Sequence, residues 1–265
     1  MSAPRVLAST TSHKREPLLP TLEIFSRLGL CDIDLNLHHV LELGTPIESI
    51  AEAVEANGLR LWGLAGGWCD FFHPLPQIDE TMASVSRQVQ IAARLDVRQI
   101  RLFFGRVRLE EYSGSPRELV RENLLRLSDT YQDRIFVFEN HDGASRRPEI
   151  CGEILERVNR PNIRMNFDPI NFERDGVASM AALEILHPYI GHVHLKGLER
   201  GEFCEFGVGD VDLHPMLARL AARGYPGRFS VEYEGTHDAT LRVYQSVHRA
   251  HAAIRSLFQA SPVAE

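Results

Sequence analysis

The stretch QIRLFFGRVRLEEYSGSPRELVRENLLRLSDTYQDRIFVFE, residues 99–139, contains one complete strand–helix–strand unit. Its first and last segments, QIRLFFG (99–105) and RIFVFE (134–139), are short apolar runs of the kind that form buried strands. Between them, PRELVRENLLRLSDTY (116–131) repeats leucines at helical spacing. The stretch therefore predicts two parallel strands joined by a crossover helix.

The same alternation of short apolar runs and amphipathic helices continues on both sides of this stretch. The other predicted strands are VLAST (6–10), DIDLNL (32–37), LRLWGLA (59–65), NIRMNFD (162–168), HVHL (192–195) and RFSVE (228–232). Eight such units in about 250 residues favour a closed barrel over an open doubly wound sheet, which usually has fewer strands. We predict an α/β protein, a single (β/α)₈ TIM-barrel domain over residues 1–265, with no linker that divides it.

Composition restricts the function classes. The chain has 265 residues, 44% of them hydrophobic and 25% charged, with a net charge of -7. This charge disfavours nucleic acid as a partner. The N-terminal MSAPRVLAST lacks the features of a signal peptide, and no apolar run is long enough to cross a membrane. The four scattered cysteines suit reduced thiols. We expect a cytoplasmic protein without membrane contact.

Polar residues end four consecutive predicted strands. They are Glu139, Asp168, His194 and Glu232. In a barrel of this kind the carboxyl ends of the strands form the active-site rim. Three carboxylates and one imidazole make a hard, mostly oxygen ligand set that suits one divalent ion, manganese, magnesium or cobalt, and also zinc.

Each of these residues also has an ordinary structural interpretation. A glutamate at a strand end is usually half exposed or paired with arginine, and a strand histidine is usually a hydrogen-bonded core group. Three neighbouring buried carboxylates, however, would repel one another strongly without a cation. His192 lies two residues before His194 on the same face, one layer lower, as Asn166 and Ser230 do on their strands. We expect this lower layer to orient the ligands by hydrogen bonds rather than to bind the ion.

The motifs in the second half of the chain resemble those of a known group. In order, they are VFENHDG (137–143), NFDPIN (166–171), GHVHLKG (191–197), FGVGDVD (206–212) and SVEYEG (230–235). They are similar to the sugar phosphate isomerase/epimerase group of the xylose isomerase-like TIM barrels. That group includes ketose 3-epimerases, hydroxypyruvate isomerase, inosose dehydratase and endonuclease IV. The resemblance implies that Glu139, Asp168, His194 and Glu232 hold the metal, and that Glu139 and Glu232 are also the catalytic acid/base pair.

The chemistry implied is proton transfer next to a carbonyl. A ketose or related hydroxy-carbonyl compound would chelate the ion, which stabilises the enediolate formed when the α-proton leaves. One glutamate removes the proton and the other returns it, giving epimerisation at the same carbon or isomerisation at the neighbouring carbon. A small sugar or polyol is therefore the expected substrate.

Some positions depart from the epimerase pattern. Ketose epimerases commonly have Asp, two residues and then His, whereas here Asn171 takes the histidine position and is either a substrate hydrogen-bond donor or a turn residue. Arg200 matches the spacing of a substrate-binding arginine in that branch. Lys196 matches other members, in which a lysine contacts a substrate oxygen, although a surface lysine is an equal alternative.

Other rim residues have two interpretations each. His141 either lines the pocket or caps its loop. Trp68, with His38 and His39, is expected to form a wall that stacks on a sugar. Equally, Trp68 with Phe71 and Phe72 forms a contact with a second copy of the chain, which leaves a homo-oligomer open. GVGDVD (207–212) is expected to be a turn in which Asp212 caps a helix beginning near Leu213.

Three function classes follow. The first is a metal-dependent isomerase or epimerase of a sugar or related compound. The second is a lyase on the same scaffold, an inosose-type dehydratase, and the third is a non-catalytic sugar-binding or assembly subunit. Endonuclease activity is disfavoured, because the chain lacks a richer set of ligands for a three-metal cluster and its net charge is negative.

Overall fold

Eight parallel strands form a closed barrel in the computed structural model, which describes residues 4–260. The order around the barrel is β1-β10-β7-β6-β5-β4-β3-β2, and β8 and β9 form a separate antiparallel pair. The predicted (β/α)₈ barrel is therefore confirmed. The strands are β1 Val6–Ser9, β2 Asp32–Asn36, β3 Arg60–Ala65, β4 Gln99–Phe103, β5 Ile135–Glu139, β6 Ile163–Phe167, β7 Ile190–Leu195, β8 Gly197–Glu199, β9 Glu202–Cys204 and β10 Arg228–Val231.

Helices surround the barrel and pack their apolar faces on it. In α5, for example, Val120, Leu124 and Leu127 are fully buried, as the leucine spacing predicts. Four cysteines are free thiols, as expected. The helices are α1 Leu18–Arg27, α2 His38–Leu41, α3 Ile47–Ala56, α4 Gln77–Arg94, α5 Ser115–Thr130, α6 Pro148–Val158, α7 Pro169–Arg174, α8 Ser179–Leu186, α9 His214–Ala222 and α10 Ala239–Ala260.

Helix α9 begins one residue later than expected. It starts at His214, and its N-cap is Leu213, which makes no side-chain capping hydrogen bond. The carboxylate of Asp212 nevertheless accepts a hydrogen bond from the backbone N–H of His214 at 2.9 Å. Asp212 therefore stabilises the turn that precedes the helix from one position further out. Within residues 4–260, no helix is long and apolar enough to cross a membrane.

The strand register determines which side chains share a height inside the barrel. Glu139 pairs with Asn166 across β5 and β6, and His194 pairs with Ser230 across β7 and β10. Strands in a closed barrel are tilted, so the register advances from strand to strand at constant height. Asp168 and Glu232 lie two positions beyond Asn166 and Ser230, so they reach the height of Glu139 and His194.

Two glycines frame the β7 segment because no other residue fits there. Gly191 is the extra residue where the register between β6 and β7 shifts, and a Cβ on it would lie 2.8 Å from Cβ of Arg164. At the other end, a Cβ on Gly197 would lie 2.5 Å from the carbonyl oxygen of Glu205. Close packing on both sides therefore fixes the position of the residues between them.

Candidate metal centre

Four side chains converge at the carboxyl ends of neighbouring strands. Glu139 ends β5, Asp168 follows β6, His194 lies in β7 and Glu232 follows β10, and all four are buried. His194 Nδ1 lies 3.6 Å from Glu139 Oε1, 3.9 Å from Asp168 Oδ2 and 3.1 Å from Glu232 Oε2. One ligand atom from each residue lies within 4.8 Å of the others. The geometry thus brings together the four residues that the strand ends predicted.

The turn after β6 orients Asp168. This residue is the N-cap of α7, and its Oδ1 accepts hydrogen bonds from the backbone N–H groups of Ile170 and Asn171, each at 3.0 Å. Pro169 occupies the first helical position, where a missing N–H costs nothing. Capping by Oδ1 holds the carboxylate in one orientation, which leaves Oδ2 facing the other three residues.

The donor set fits a divalent cation. His194 Nδ1 is fully buried and makes no hydrogen bond, although three carboxylates surround it. Without a bound cation, the protein itself must supply the positive charge. Burial opposes the charged form of His194, yet Glu232 and Glu139 raise its pKa well above the ordinary value. Burial likewise opposes ionisation of Glu139, but Arg101 and His194 lower its pKa to about 2. Hard oxygen ligands with one imidazole are the set that manganese, magnesium or zinc accepts.

Asn166 lies directly below His194 and contacts it. Its side-chain nitrogen lies 3.1 Å from His194 Nε2, and both residues are fully buried. The expected contact is therefore present at this position, and it turns Nδ1 toward the carboxylates. In this structure the amide nitrogen donates to Nε2; an ion bound through Nδ1 would instead need the amide oxygen there, to accept a hydrogen bond from Nε2–H.

His192 differs from the expectation, because it makes no hydrogen bond to any of the four predicted ligands. Its Nδ1 lies 3.0 Å from Gln99 Nε2 and its Nε2 lies 3.0 Å from Ser230 Oγ. Ser230 in turn donates to Asp34 at 2.8 Å. Burial, with the nearby charge of His194, lowers the pKa of His192 well below the ordinary value, so its ring is neutral. This chain of hydrogen bonds forms a polar layer inside the barrel, beneath the four candidate ligands.

Arg101 is a site residue that the sequence reasoning missed. It lies on β4 and is buried, with Nε 3.2 Å from Glu139 Oε2. Its Nη1 donates to the carbonyl of Gly66 at 3.3 Å, and its guanidinium lies 4.3 Å from the ring centre of Phe103. An arginine in the middle of an apolar strand, two residues from Phe103 on the same face, was the available signal.

Lys196 is not a surface residue. Its side chain is 1% exposed, and Nζ lies 2.9 Å from Asp168 Oδ2, 3.7 Å from Glu232 Oε2 and 2.5 Å from Glu234 Oε2. The Phe203 ring lies 4.3 Å from the same nitrogen. Burial opposes the charge, yet Asp168 and Glu234 raise the pKa of Lys196 well above the ordinary value. The lysine is thus a fixed cation beside the candidate metal site.

Two predicted substrate-binding residues lie elsewhere. Asn171 is buried behind Glu139, where its side-chain nitrogen donates to Glu139 Oε1 at 3.2 Å and to the carbonyl of Asn140 at 3.0 Å. Arg200 lies at the exposed turn between β8 and β9 with a φ of 52°. Neither residue lines the cavity above the site, and a third predicted substrate-binding residue, Lys196, does not line it either. Asn171 therefore holds Glu139 in position. The spacing of Arg200 after His194 predicted a substrate contact, but the irregular loop places this residue at the exposed turn.

A cavity of about 280 Å³ opens above Glu139 and Glu232. Trp68, His141 and Arg101 line it, together with Phe103. Trp68 stacks on Phe103 at 5.2 Å between ring centres, and His141 meets Phe103 edge-on at 4.9 Å. His38 also lines the cavity, whereas His39 is fully buried beneath the rim. An aromatic wall is therefore present beside the candidate ligands.

The predicted exposed aromatic cluster is wrong for two of its three members. Phe71 is 0% exposed and Phe72 is 6% exposed, whereas Trp68 is 39% exposed. Phe71 packs edge-on against Phe138 in the core, and the carbonyls of Phe71 and His73 accept hydrogen bonds from Asn123. The loop after β3 folds inward, so these two rings offer no surface to a second copy of the chain.

Comparisons with known proteins agree with this architecture. The protein from Bacillus anthracis described as the probable 3-DHS dehydratase AsbF is 16% identical, with a TM-score of 0.76 over 93% of this chain and 98% of that one. The IolI protein, solved with a zinc atom, is 18% identical, with a TM-score of 0.79 over 98% and 100%. The E. coli 3-keto-D-glucoside 4-epimerase YcjR is 15% identical, with a TM-score of 0.74 over 96% and 99%.

These likenesses show the fold. No curated protein matches the sequence. The family model described as the xylose isomerase-like TIM barrel matches residues 26–257, which include every strand from β2 to β10 and all four candidate ligands. The chain therefore belongs to the xylose isomerase-like TIM barrel family.

Proposed function

We propose that this protein is a divalent-metal-dependent isomerase or epimerase of a sugar or related hydroxy-carbonyl compound. The observation that carries the proposal is the convergence of Glu139, Asp168, His194 and Glu232 beside an open cavity that Glu139 and Glu232 line. Arg101 and Lys196 offset two of the three buried negative charges, and the buried Nδ1 of His194, which has no hydrogen-bond partner, leaves a position for a further cation. Two of the carboxylates also border the space in which a substrate would lie.

An ion held by these four residues would supply Lewis-acid polarisation of the substrate carbonyl. Glu139 and Glu232 come from strands separated by β6 and β7, so they approach the cavity from different directions. One carboxylate removes the proton next to the carbonyl and the other returns it. Return to the same carbon on the opposite face epimerises that carbon, and return to the neighbouring carbon isomerises the sugar.

The surrounding residues support this role by holding the bases and the substrate. Arg101 and Asn171 fix the two oxygens of Glu139, which limits the directions in which that carboxylate can accept a proton. Trp68 and His141 offer ring surface and a polar edge to a bound sugar, and Arg101 faces the same cavity. Preorganised positive charge from Arg101 would also stabilise negative charge that develops on the substrate oxygen.

Proton exchange in deuterated water tests the proposal. Glu139→Gln and Glu232→Gln keep the side-chain size but remove a basic carboxylate, so each metal-loaded variant should lose exchange of the substrate α-proton. Glu52→Gln, an exposed change on α3, is the matched control and should exchange normally. A panel of ketoses and keto-inositols with manganese provides the substrates. Exchange at the wild-type rate in both loaded variants would mean that neither glutamate is the base.

One observation favours a dehydratase as the second candidate. Lys196 places a buried ammonium group 2.9 Å from Asp168 and 3.7 Å from Glu232, at the edge of the same cluster. In a lyase such a fixed cation would stabilise the negative charge that develops as a β-hydroxyl group leaves, while the glutamate that removed the α-proton passes it to the departing oxygen to form water. Formation of an unsaturated product from a keto-inositol, lost in Lys196→Met, would favour the lyase. Recovery of an isomerised sugar without loss of water would favour the first proposal.

A further inference from the structure

A second cavity of about 660 Å³ adjoins the cavity above the four candidate ligands. It lies between the loop after β1 and the loop after β10. Thr11, Lys14 and Glu234 line both cavities, so the two spaces meet at these side chains. A ligand whose reacting part lies above Glu232 can therefore extend into the second cavity.

The relative sizes of the two cavities bear on the length of the ligand. The cavity above the candidate ligands measures about 280 Å³, and small-molecule sites usually measure about 300 to 1,000 Å³. This space suits one small sugar or hydroxy-carbonyl unit. The adjoining cavity is more than twice as large. A ligand of a single unit would leave most of the connected space filled with water.

The chemistry of the second cavity indicates what it would hold. Lys14 and Arg15 are opposed there by Glu16 and Asp238, so neither sign of charge dominates its wall. Among residues 4–260, the side chains of Lys14, Arg15 and Glu16 have no hydrogen-bond or ion-pair partner and are exposed. Among the residues that line this cavity, Tyr233 is the one phenylalanine, tyrosine or tryptophan. It is 3% exposed and offers no stacking surface.

Such a wall suits a neutral group that is rich in hydroxyls. A hydroxyl both donates and accepts hydrogen bonds, so it can pair with cationic donors and with carboxylate acceptors at once. An acyl chain would find little apolar surface there. A polyanion would meet Glu16, Glu234 and Asp238 together with the two cations.

We propose that the second cavity is a binding subsite for a second sugar unit, so that the substrate is a glycoside rather than a free monosaccharide. The proposal rests on the proposed function, because it takes the four-ligand cluster as the place where the first unit reacts. Lys14, at the junction, would contact the link between the two units. Arg15 and Glu16 would contact hydroxyls of the second unit.

Matched pairs of sugars test the subsite. The probes are the 3-keto derivatives of methyl α-glucoside and maltose, and of methyl β-glucoside and cellobiose, each pair differing by one glucosyl unit. Exchange of the α-proton is measured in deuterated water with the manganese-loaded full chain. Calorimetry with the same four sugars measures binding without turnover. Arg15→Ala and Glu16→Ala are compared with Arg87→Ala, an exposed change on α4 that lines neither cavity.

We expect at least one disaccharide to bind and exchange tenfold or more better than its methyl glycoside. Arg15→Ala and Glu16→Ala should each reduce this advantage about 3- to 10-fold, as expected for a lost polar contact, and Arg87→Ala should leave it unchanged. Equal values for both members of every pair would overturn the subsite, and so would an advantage that neither cavity variant reduces.

The two proposals fail in different ways. Tighter binding of a disaccharide without any proton exchange would contradict the proposed reaction and retain the subsite. Exchange with no preference for the longer sugar would retain the reaction and refute the subsite. Absence of both binding preference and exchange would refute both.

Discussion

Replacing Asn166 with alanine should weaken metal binding without removing any metal ligand. A neutral His194 can offer its Nδ1 lone pair to an ion only when its proton is on Nε2, and the partner at Nε2 must then accept that proton. In the structure the amide nitrogen of Asn166 lies 3.1 Å from Nε2, while its amide oxygen is buried without a hydrogen-bond partner. We therefore expect the amide to rotate when an ion binds, so that its oxygen accepts from Nε2–H.

The magnitude follows from the burial of this pair. Asn166 and His194 are both fully buried, so water does not replace the amide in Asn166→Ala. An unpaired buried donor costs about 1 to 3 kcal/mol, which corresponds to a loss of roughly 5- to 150-fold in metal affinity. Outer partners of metal-binding histidines typically contribute about 10- to 100-fold.

The assay is titration of the metal-free protein with cobalt, followed by its visible absorption and by competition with a chelator. Asn162→Ala is the matched control, because Asn162 is buried at the opposite end of β6 and bonds to Ser128 and Tyr131 rather than to the site. Thermal unfolding confirms that both variants are folded. If Asn166→Ala bound cobalt within twofold of the wild-type affinity, Asn166 would not orient His194 for the ion.

Three further substitutions test individual contacts. Arg101→Met removes the cation 3.2 Å from Glu139, and kcat/KM for proton exchange should fall by roughly 10²-fold; an unchanged value would remove Arg101 from the reaction. Lys196→Met leaves Asp168 without its buried partner, so the free energy of unfolding of the metal-free protein should fall by about 3 to 5 kcal/mol, and manganese should raise Tm more than in the wild type. Burial, helped by the nearby His39, lowers the pKa of His13 from 6.5 to about 4. As pH falls, the unfolded chain therefore binds a proton at this residue before the folded protein does. The free energy of unfolding should decrease between pH 6.5 and pH 4. His13→Gln should reduce this loss by up to about 3 kcal/mol in urea unfolding at pH 7 and pH 4.5, and an identical pH dependence in both proteins would contradict the role of His13.

The barrel could be predicted from sequence because its signals are local. Each strand is a short apolar run and each helix has a periodic apolar face, so the order of strands and helices can be predicted from the sequence. The register could not be read in the same way. Gly191 is the extra residue at the shift between β6 and β7, where the side chain of Arg164 leaves no space for a Cβ, and that contact exists only after folding.

The candidate ligands could be predicted for a related reason, since the ends of parallel strands meet at one rim. Contacts between loops and distant strands could not be predicted in this way. An arginine within the apolar strand β4 is visible in the sequence, but its partner is not, because only the pairing of β4 with β5 places Arg101 next to Glu139. Phe71 and Phe72 read as exposed loop aromatics, yet the loop after β3 turns into the core. Lys196 follows an apolar strand, and only the folded barrel shows that three carboxylates surround it.

Anomalous scattering from crystals grown with manganese tests the central claim most directly. We predict one strong peak within about 2.0 to 2.4 Å of an oxygen from Glu139, Asp168 and Glu232 and of Nδ1 of His194. In Asp168→Ala crystals prepared in the same way, the peak should be much weaker while the barrel is unchanged. A fully occupied peak elsewhere, or no peak at these four residues at saturating manganese, would contradict the proposed metal site.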